Sequence, residues 1–331
     1  MHAALFGVGR LQPLLDDPEV ENIDINGCDR VFVGYADGRE AIMPPVADSD
    51  DELIELVQIL GAYSGLASRP FDTANAQLDL RLPDGSRLSA VMGVCARPSL
   101  SIRRARLSRV SLDMLVQNGS MSSELAGFLS AAIAARKNIM LAGATNAGKT
   151  TLLRALANEI PPQERLPNSE GQGAISMADL VRRSLRMNPS RVIVGEVLGD
   201  EIVTMLNAMS QGNDGSLSTI HSNSSMEVFN RISTYAIQAV ERLPMDATQM
   251  LIAGALDFVV FVRKHNDYSR GGGLSRYIES IREVTGWDGR VLSGEVFAPG
   301  PDGRAAAHAP IACMDELEHF GYQPLVHGTW A

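Results

Sequence analysis

An α/β chain with a smaller α+β domain ahead of it is predicted by three features of the sequence. At 331 residues it exceeds the roughly 250 at which one hydrophobic core stops growing, so two compact units are expected. From about residue 105 onward, short apolar strands alternate with helical patterns, as in a parallel sheet with crossover connections. Between one such strand and its helix stands a glycine-rich turn, Gly143 to Thr150, of the kind that cradles phosphate. The boundary is placed near Ala105, giving residues 1–104 to the N-terminal α+β domain and 105–331 to the α/β domain.

In the first part, Val20 to Ile25 and Arg30 to Tyr35 read as strands, with Asp37-Gly38 as a hairpin turn. Ser49 followed by Glu52 forms a capping box ahead of Leu53, Ile54, Leu56, Val57 and Leu60, the spacing of an amphipathic helix. Gln77 to Leu82 alternates apolar and polar side chains, Pro83-Asp84-Gly85 turns the chain, and Arg87 to Val94 returns it. Arg97, Arg103, Arg104, Arg106 and Arg109 then gather in a junction. The opening, MHAALFGVGRLQPLL, reads as entering within a helix, which points to an upstream region.

In the second part the pattern predicts helix Ser123 to Ala135, strand Asn138 to Ala142, helix Lys149 to Asn158, helix Ala178 to Met187, strand Arg191 to Val194, helix Glu201 to Ser210 and strand Ser216 to Ile220. Gly271-Gly272-Gly273 reads as a loop.

Composition narrows the function classes. A hydrophobic share of 45% and a charged share of 21% are those of an ordinary globular chain. The net charge of −10 argues against broad adhesion to nucleic acid or anionic lipid, and no nucleic-acid partner is expected. Cys28, Cys95 and Cys313 are widely spaced and form no CxxC, so neither a disulfide framework nor a zinc site is suggested, and a reducing compartment fits. The longest apolar run, Met250 to Val262, falls short of the ~18 residues of a membrane span and contains Asp257. Nor does the start carry the charged and apolar regions of a signal peptide.

The turn Gly143-Ala144-Thr145-Asn146-Ala147-Gly148-Lys149-Thr150 matches GxxxxGK[ST] and has the required context, after an apolar strand and opening a helix that continues with Thr151. Its glycines permit backbone angles that aim successive N–H groups at phosphate oxygens, and the helix N-terminus adds partial positive charge. Lys149 is expected to bridge the β and γ phosphates of ATP, and the Thr150 hydroxyl to be a ligand of Mg²⁺.

Two further residues suit the same chemistry. Arg191-Val-Ile-Val-Gly-Glu196 is an apolar strand ending in a carboxylate, where ATPases of this class carry an acid. A glutamate reaches one methylene further than an aspartate, which suits the attacking water better than the metal. His221 stands just past the strand Ser216 to Ile220, beside the turn if the sheet order permits, and its imidazole could bond the γ phosphate and report its loss.

Three segments carry a family resemblance: IPPQERL after the turn's helix, EGQGAISMADLVRRSLRMNPSRVIVGEV, and LNAMSQGNDGSLSTIHSNS. With these the chain resembles the secretion-superfamily ATPases over roughly residues 10 to 290. Within them it is most similar to the Tad (CpaF) group that assembles Flp-type pili, related to type II and type IV secretion ATPases. The resemblance implies a RecA-like ATPase domain behind the N-terminal domain, and a homo-hexamer. It also implies a cytoplasmic location at the inner face of the membrane, through a membrane-embedded platform protein. It gives Lys149, Thr150, Glu196 and His221 the roles argued above. Arginines of the N-terminal domain act on the γ phosphate in this family, and the matching stretch makes Arg81 and Arg87 the candidates, with Arg103 and Arg104 behind them.

The chain departs from the family in two places. An acidic box is missing where Arg165-Leu166 runs into Pro167-Asn168-Ser169, which implies either a degenerate ATPase or a sequence lacking a segment there. Leu198 stands where the related phrase GEVRG has arginine. Three functions follow as alternatives. The first is a hydrolysing motor for pilus assembly or protein secretion, working by nucleotide-driven domain closure. The others are a nucleic-acid translocase of helicase type, against which an aromatic share of only 5% weighs, and a scaffold that binds nucleotide without turnover.

Overall fold

The computed structural model describes residues 9–63, 70–104, 110–166, 176–266 and 273–324. Arg106, Arg109, the residues after Leu166 where the acidic box is missing, the segment Glu170-Gly-Gln-Gly, and Gly271 with Gly272 lie outside these. The chain divides into two compact units, residues 1–108 with 266–274, and residues 109–265 with 275–331. The break thus lies a few residues beyond Ala105, and a segment late in the chain returns to the first unit.

In the first unit, a short 3₁₀ turn (Gly9–Leu11) leads into α1 (Gln12–Asp16), β1 (Val20–Asn26), β2 (Val31–Tyr35), β3 (Glu40–Met43), α2 (Asp50–Tyr63), β4 (Gln77–Arg81), β5 (Arg87–Val91) and β6 (Ser99–Arg103). The strands form one sheet in the order β3-β2-β1-β6-β5-β4, and every pairing is antiparallel. Alternation fixes its two faces. Ile23, Ile25, Leu78, Leu80, Leu88, Ala90, Leu100 and Ile102 are buried in one cluster with Leu53, Val57 and Leu60 of α2, while the residues between them face outward. Ser49 caps α2 as the sequence predicts, its hydroxyl accepting from Glu52 N–H at 3.1 Å. The junction arginines are not all loop, because Arg103 closes β6, a central strand that the arginine cluster disguised.

The second unit contains α3 (Leu112–Gln117), α4 (Ser123–Ala134), β7 (Ile139–Gly143), α5 (Lys149–Asn158), α6 (Met177–Leu185), β8 (Ile193–Val197), α7 (Glu201–Ser210), β9 (Leu217–His221), α8 (Glu227–Gln238), α9 (Met245–Ala255), β10 (Phe258–Asn266), β11 (Leu274–Trp287), β12 (Val291–Pro299), β13 (Ala305–Ala307) and α10 (Met314–His319). Its sheet runs β13-β12-β11-β10-β7-β9-β8. The four strands β10, β7, β9 and β8 are parallel, and β11, β12 and β13 extend the sheet through antiparallel pairs β11–β12 and β12–β13.

β7 is buried along its whole length because helices cover both sheet faces. Its residues alternate between two cores: Ile139 and Leu141 join Phe128 of α4 and Leu152 and Leu156 of α5, whereas Met140 and Ala142 join Met205 and Leu206 of α7 and Phe229 of α8. Phe128 packs edge-on against Phe258, Phe297 and Tyr322 at ring distances of 5.1, 5.1 and 5.6 Å, which ties the C-terminal strands and the residues after α10 to the side of the core that carries α4 and α5. Among the described residues, no helix is long and apolar enough to cross a membrane.

Candidate nucleotide site

The loop between β7 and α5 is shaped by backbone that few residues tolerate. Gly143 has φ 154°, and a Cβ there would run into the Val262 carbonyl of the neighbouring strand β10. A side chain at position 143 would push apart two central strands, so the glycine is set by packing as well as by conformation. Asn146 takes φ 59°, one of the few side-chain-bearing residues at positive φ, and Gly148 caps α5 at φ 99°. Lys149 opens the helix, so the loop delivers its ammonium at a helix N-terminus.

Lys149 is buried, and its Nζ folds back over the loop. It donates to the Gly143 carbonyl at 3.0 Å and the Ala144 carbonyl at 2.9 Å, and stands 3.2 Å from Nδ1 of His221. The register explains this proximity. β9 pairs in parallel with β7, and His221 is the partner of Gly143, so the imidazole emerges beside the start of the loop. His221 is the last residue of β9, one place deeper in the strand than the sequence suggests.

Glu196 completes the line. Its Oε1 lies 2.7 Å from Nε2 of His221. An ammonium has protons to give and no lone pair, so Nδ1 accepts from Lys149 and the ring proton sits on Nε2, aimed at Glu196. Strand β8 places the carboxylate by an irregularity. Val194 pairs with Ser218 and Val197 with Ile220, so β8 carries one extra residue, and Gly195 and Glu196 stand in the resulting bulge. Thr219 of β9 braces it by donating to the Gly195 carbonyl at 2.9 Å. Without the bulge, alternation after the buried Val194 would turn Glu196 toward the helix-covered core; with it, the side chain is half-exposed beside His221.

Thr150 is exposed on the first turn of α5 and Thr151 is half-buried behind it. Ala144 and Thr145 form the exposed crest of the loop, and Ala147 is buried beneath it. Among the described residues, no cluster of three or more His, Cys, Asp or Glu side chains could hold a metal by itself. The hydroxyl of Thr150 suits a small hard cation that takes most of its ligands from phosphates and water, as Mg²⁺ does.

The arginine candidates belong to the first unit. Arg81, Arg87 and Arg103 stand directly opposite one another across β4, β5 and β6, all on the exposed face. Arg87 and Arg103 make no ion pair among the described residues, and like charges placed so are unfavourable without an anion nearby. Arg104 is directed elsewhere: its guanidinium is mostly buried, 3.4 Å from the Leu14 carbonyl and 3.8 Å from Asp84.

Two contributors escaped sequence reasoning. Arg276 of β11 donates through Nε to the Asn146 carbonyl at 2.9 Å, and no motif marks it. Glu164, of the IPPQERL segment, forms a two-point ion pair with Arg191 at 2.8 and 2.6 Å; Arg191 is 1% exposed and also donates to the Ile133 carbonyl at 2.8 Å. The Arg191 guanidinium holds the Glu164 carboxyl below its ordinary pKa. This pair fixes the chain just ahead of β8, at the opposite end from Glu196.

The sequence matches the family described as Type II/IV secretion system protein over residues 7–285. The chain belongs to the type II/IV secretion system protein family. Relatives of this family include a putative conjugal transfer protein of Mycobacterium tuberculosis, 29% identical over 328 residues, with 90% of each chain covered. VirB11 of Agrobacterium fabrum is 28% identical over 324 residues, covering 80% of this chain and 91% of its own. Among solved structures, the pilus retraction motor PilT with bound ADP aligns at a TM-score of 0.55 and 15% identity, covering 84% of this chain and 80% of that one. At such identity the likeness shows the fold: a RecA-like domain preceded by a smaller N-terminal domain, the architecture of secretion ATPases in this family.

Proposed function

We propose that the chain is a Mg²⁺-dependent ATP hydrolase that drives pilus assembly or protein secretion. The observation that carries this reading is the hydrogen-bonded line from Lys149 through His221 to Glu196 at the carboxyl ends of β7, β9 and β8. Phosphate oxygens are stronger acceptors for Lys149 than the Gly143 and Ala144 carbonyls, so ATP draws Nζ out of the loop. His221 then loses the donor at Nδ1, its ring is free to turn toward the new anion, and Glu196 is released. The freed carboxylate accepts a proton from a water as that water's oxygen bonds to the γ phosphorus and the bond to the bridging oxygen breaks. Mg²⁺, held by Thr150, supplies charge neutralisation for the phosphates.

The finer reading rests on the resemblance to the Tad group: a hexamer, cytoplasmic and peripheral to the membrane through a platform protein, in which Arg81 and Arg87 stabilise the transferring phosphoryl group. Their alignment in one exposed row supports a role in anion binding. The decisive experiment is Mg²⁺-dependent phosphate release by the full chain beside Lys149→Ala and Glu196→Gln. Turnover lost in both, with ATP binding kept by Glu196→Gln, is the expected result. ATP binding without turnover in the parent protein would replace the motor with a scaffold.

The description of one relative as a conjugal transfer protein favours a second reading, a motor that moves nucleic acid. It requires salt-sensitive binding of single-stranded DNA and stimulation of turnover by it. The net charge of −10 weighs against it.

A further inference from the structure

A charged cluster within the second unit grips the segment that follows His221 and has no part in the proposed hydrolysis. Ser225 stands between β9 and α8 and is 2% exposed. Its hydroxyl donates to Oε1 of Glu295 at 2.8 Å and accepts from Nε of Arg282 at 3.2 Å. Arg282 and Glu295 also pair with each other at 3.3 Å, and both side chains are largely buried. A hydroxyl donates and accepts at once, so Ser225 serves both charges where an alanine would leave each of them one bond short.

An irregularity in the sheet builds this cluster. Ile281 of β11 is opposite Phe297 of β12, yet the next residue, Arg282, is opposite Glu295, so Val296 is the extra residue of a bulge. In regular pairing Arg282 would face Val296, whose side chain belongs to the core around Phe128. The bulge instead brings Glu295 onto the face of Arg282. A charged pair at this depth carries a desolvation cost that an apolar pair would not, and what it gains is two directed bonds to Ser225.

The grip bears on His221 because the imidazole is partly exposed and is not fixed by packing. His221 is the last residue of β9, and the chain leaves the sheet at Ser222, whose N–H reaches the Gly143 carbonyl over a long 3.4 Å. The segment is anchored again at Ser225. Between these points Ser222 donates its hydroxyl to the Ser224 carbonyl at 2.9 Å. Glu227 accepts from the Asn223 N–H at 3.2 Å while its own N–H is capped by the Ser224 hydroxyl at 3.1 Å. The span is thus one short, internally bonded piece, and a shift at Ser225 is carried back to His221.

We propose that Arg282 and Glu295 are positioning residues that act through Ser225 to hold the His221 imidazole between Lys149 and Glu196. The inference rests on reading the loop from Gly143 to Thr150 as the nucleotide site. Losing the anchor lets His221 drift from its two partners, so turnover slows while nucleotide binding is kept. The effect vanishes where His221 is already gone.

The test uses the full chain, with nitrogen-15 NMR of the nucleotide-free protein beside ATP turnover and titration with fluorescent ATP. The imidazole nitrogens of His221 are assigned by their loss in His221→Ala. In the parent protein, Nδ1 accepting from Lys149 and a proton on Nε2 give a single tautomer, whereas Ser225→Ala and Arg282→Gln are expected to give a mixture of two. Each is expected to lower kcat roughly 10- to 100-fold with ATP affinity within about threefold. Arg282→Lys keeps the charge without the fork and is expected to fall between. In the His221→Ala background each is expected to add less than about twofold. Ser225→Ala removes one oxygen and keeps the Arg282–Glu295 pair, so it tests the anchor even if Arg282→Gln unfolds the hairpin.

An unchanged His221 tautomer in Ser225→Ala, or a loss that multiplies in full with His221→Ala, would overturn the positioning role. So would a loss of ATP affinity as large as the loss of turnover. If the parent protein neither binds nor hydrolyses ATP, the reading of the site fails by itself, and the tautomer comparison, made without nucleotide, still decides whether Ser225 positions His221.

Discussion

Nε2 of His221 stands 2.7 Å from Oε1 of Glu196, while Nδ1 of the same ring stands 3.2 Å from Nζ of Lys149. One imidazole therefore connects Lys149 with Glu196, the residues to which the proposed mechanism gives phosphate and water. His221→Ala is expected to leave ATP binding within a few fold and to lower turnover by about 10- to 150-fold, the range of a lost hydrogen bond to a charged group. His221→Gln, which can present an amide to only one partner at a time, is expected to fall between. Steady-state phosphate release beside equilibrium nucleotide binding separates the two effects.

Glu196→Gln keeps the reach and volume of the side chain but cannot take a proton. A loss of turnover on the order of 10² to 10³-fold is expected, with tighter retention of ATP. Adding Thr219→Val, which removes the donor to the Gly195 carbonyl, is expected to lower turnover in the Glu196 protein while adding little in the Glu196→Gln background. Additive losses would mean that the bulge does not act through the carboxylate.

The Glu164–Arg191 pair gives a stability signature that is independent of nucleotide. Glu164 titrates below its ordinary value when folded, so its contribution is present above the unfolded carboxyl pKa of about 4.3 and is lost as pH falls through the folded value. Glu164→Gln leaves Arg191 charged and almost fully buried, and is expected to cost about 3 kcal/mol at neutral pH. Denaturant unfolding of parent and variant should converge as the pH is lowered below about 4. A constant gap would place the effect elsewhere.

Arg81, Arg87 and Arg103 repel one another across three strands. Arg87→Gln is therefore expected to melt at or above the temperature of the parent, by differential scanning fluorimetry. If the row serves the transferring phosphate, the same variant loses about 10³-fold or more in turnover. Full turnover with raised stability would show that Arg87 does not serve the transferring phosphate.

Cys313 is half-buried, its backbone N–H lies 3.1 Å from Glu283, and burial pushes its thiol up to about 12. Cys95 is exposed. Iodoacetamide at pH 8 is expected to label Cys95 and to spare Cys313 until the protein unfolds, as peptide mass spectrometry would show.

The parts of the site legible in sequence were those whose chemistry is local. The loop from Gly143 to Thr150 announces itself because a strand, a turn and a helix are consecutive, and the acid and the histidine each end an apolar run. What could not be read was pairing across long separations. Nothing near Ser99–Arg103 reveals that β6 sits mid-sheet between β1 and β5, so Arg103 reads in the sequence as part of a junction. β11 carries Arg276, Glu279, Arg282 and Glu283 on a strand without clean alternation, and Arg276 reaches the loop only because β11 follows β10 into the sheet. The bulge at Gly195 was hidden for a similar reason, since it exists only relative to the register of β9.

β7 pairs with β9 on one side and β10 on the other, and both come much later in the chain: Ile139 opposes Leu217 and Phe258. As the polypeptide leaves the ribosome, the strand that leads into the loop at Gly143 therefore waits with both hydrogen-bonding edges bare until β9 has emerged, and with one edge bare until β10 follows. In the first unit, β1 to β6 can pair once residue 103 is out. Both units rely on long-range pairing, since Asn22 opposes Arg103 in the first as Ile139 opposes Leu217 in the second, and in the second the interval with an unpaired edge on β7 is slow and aggregation-exposed. The proposed affinity for nucleotide depends on that interval having closed.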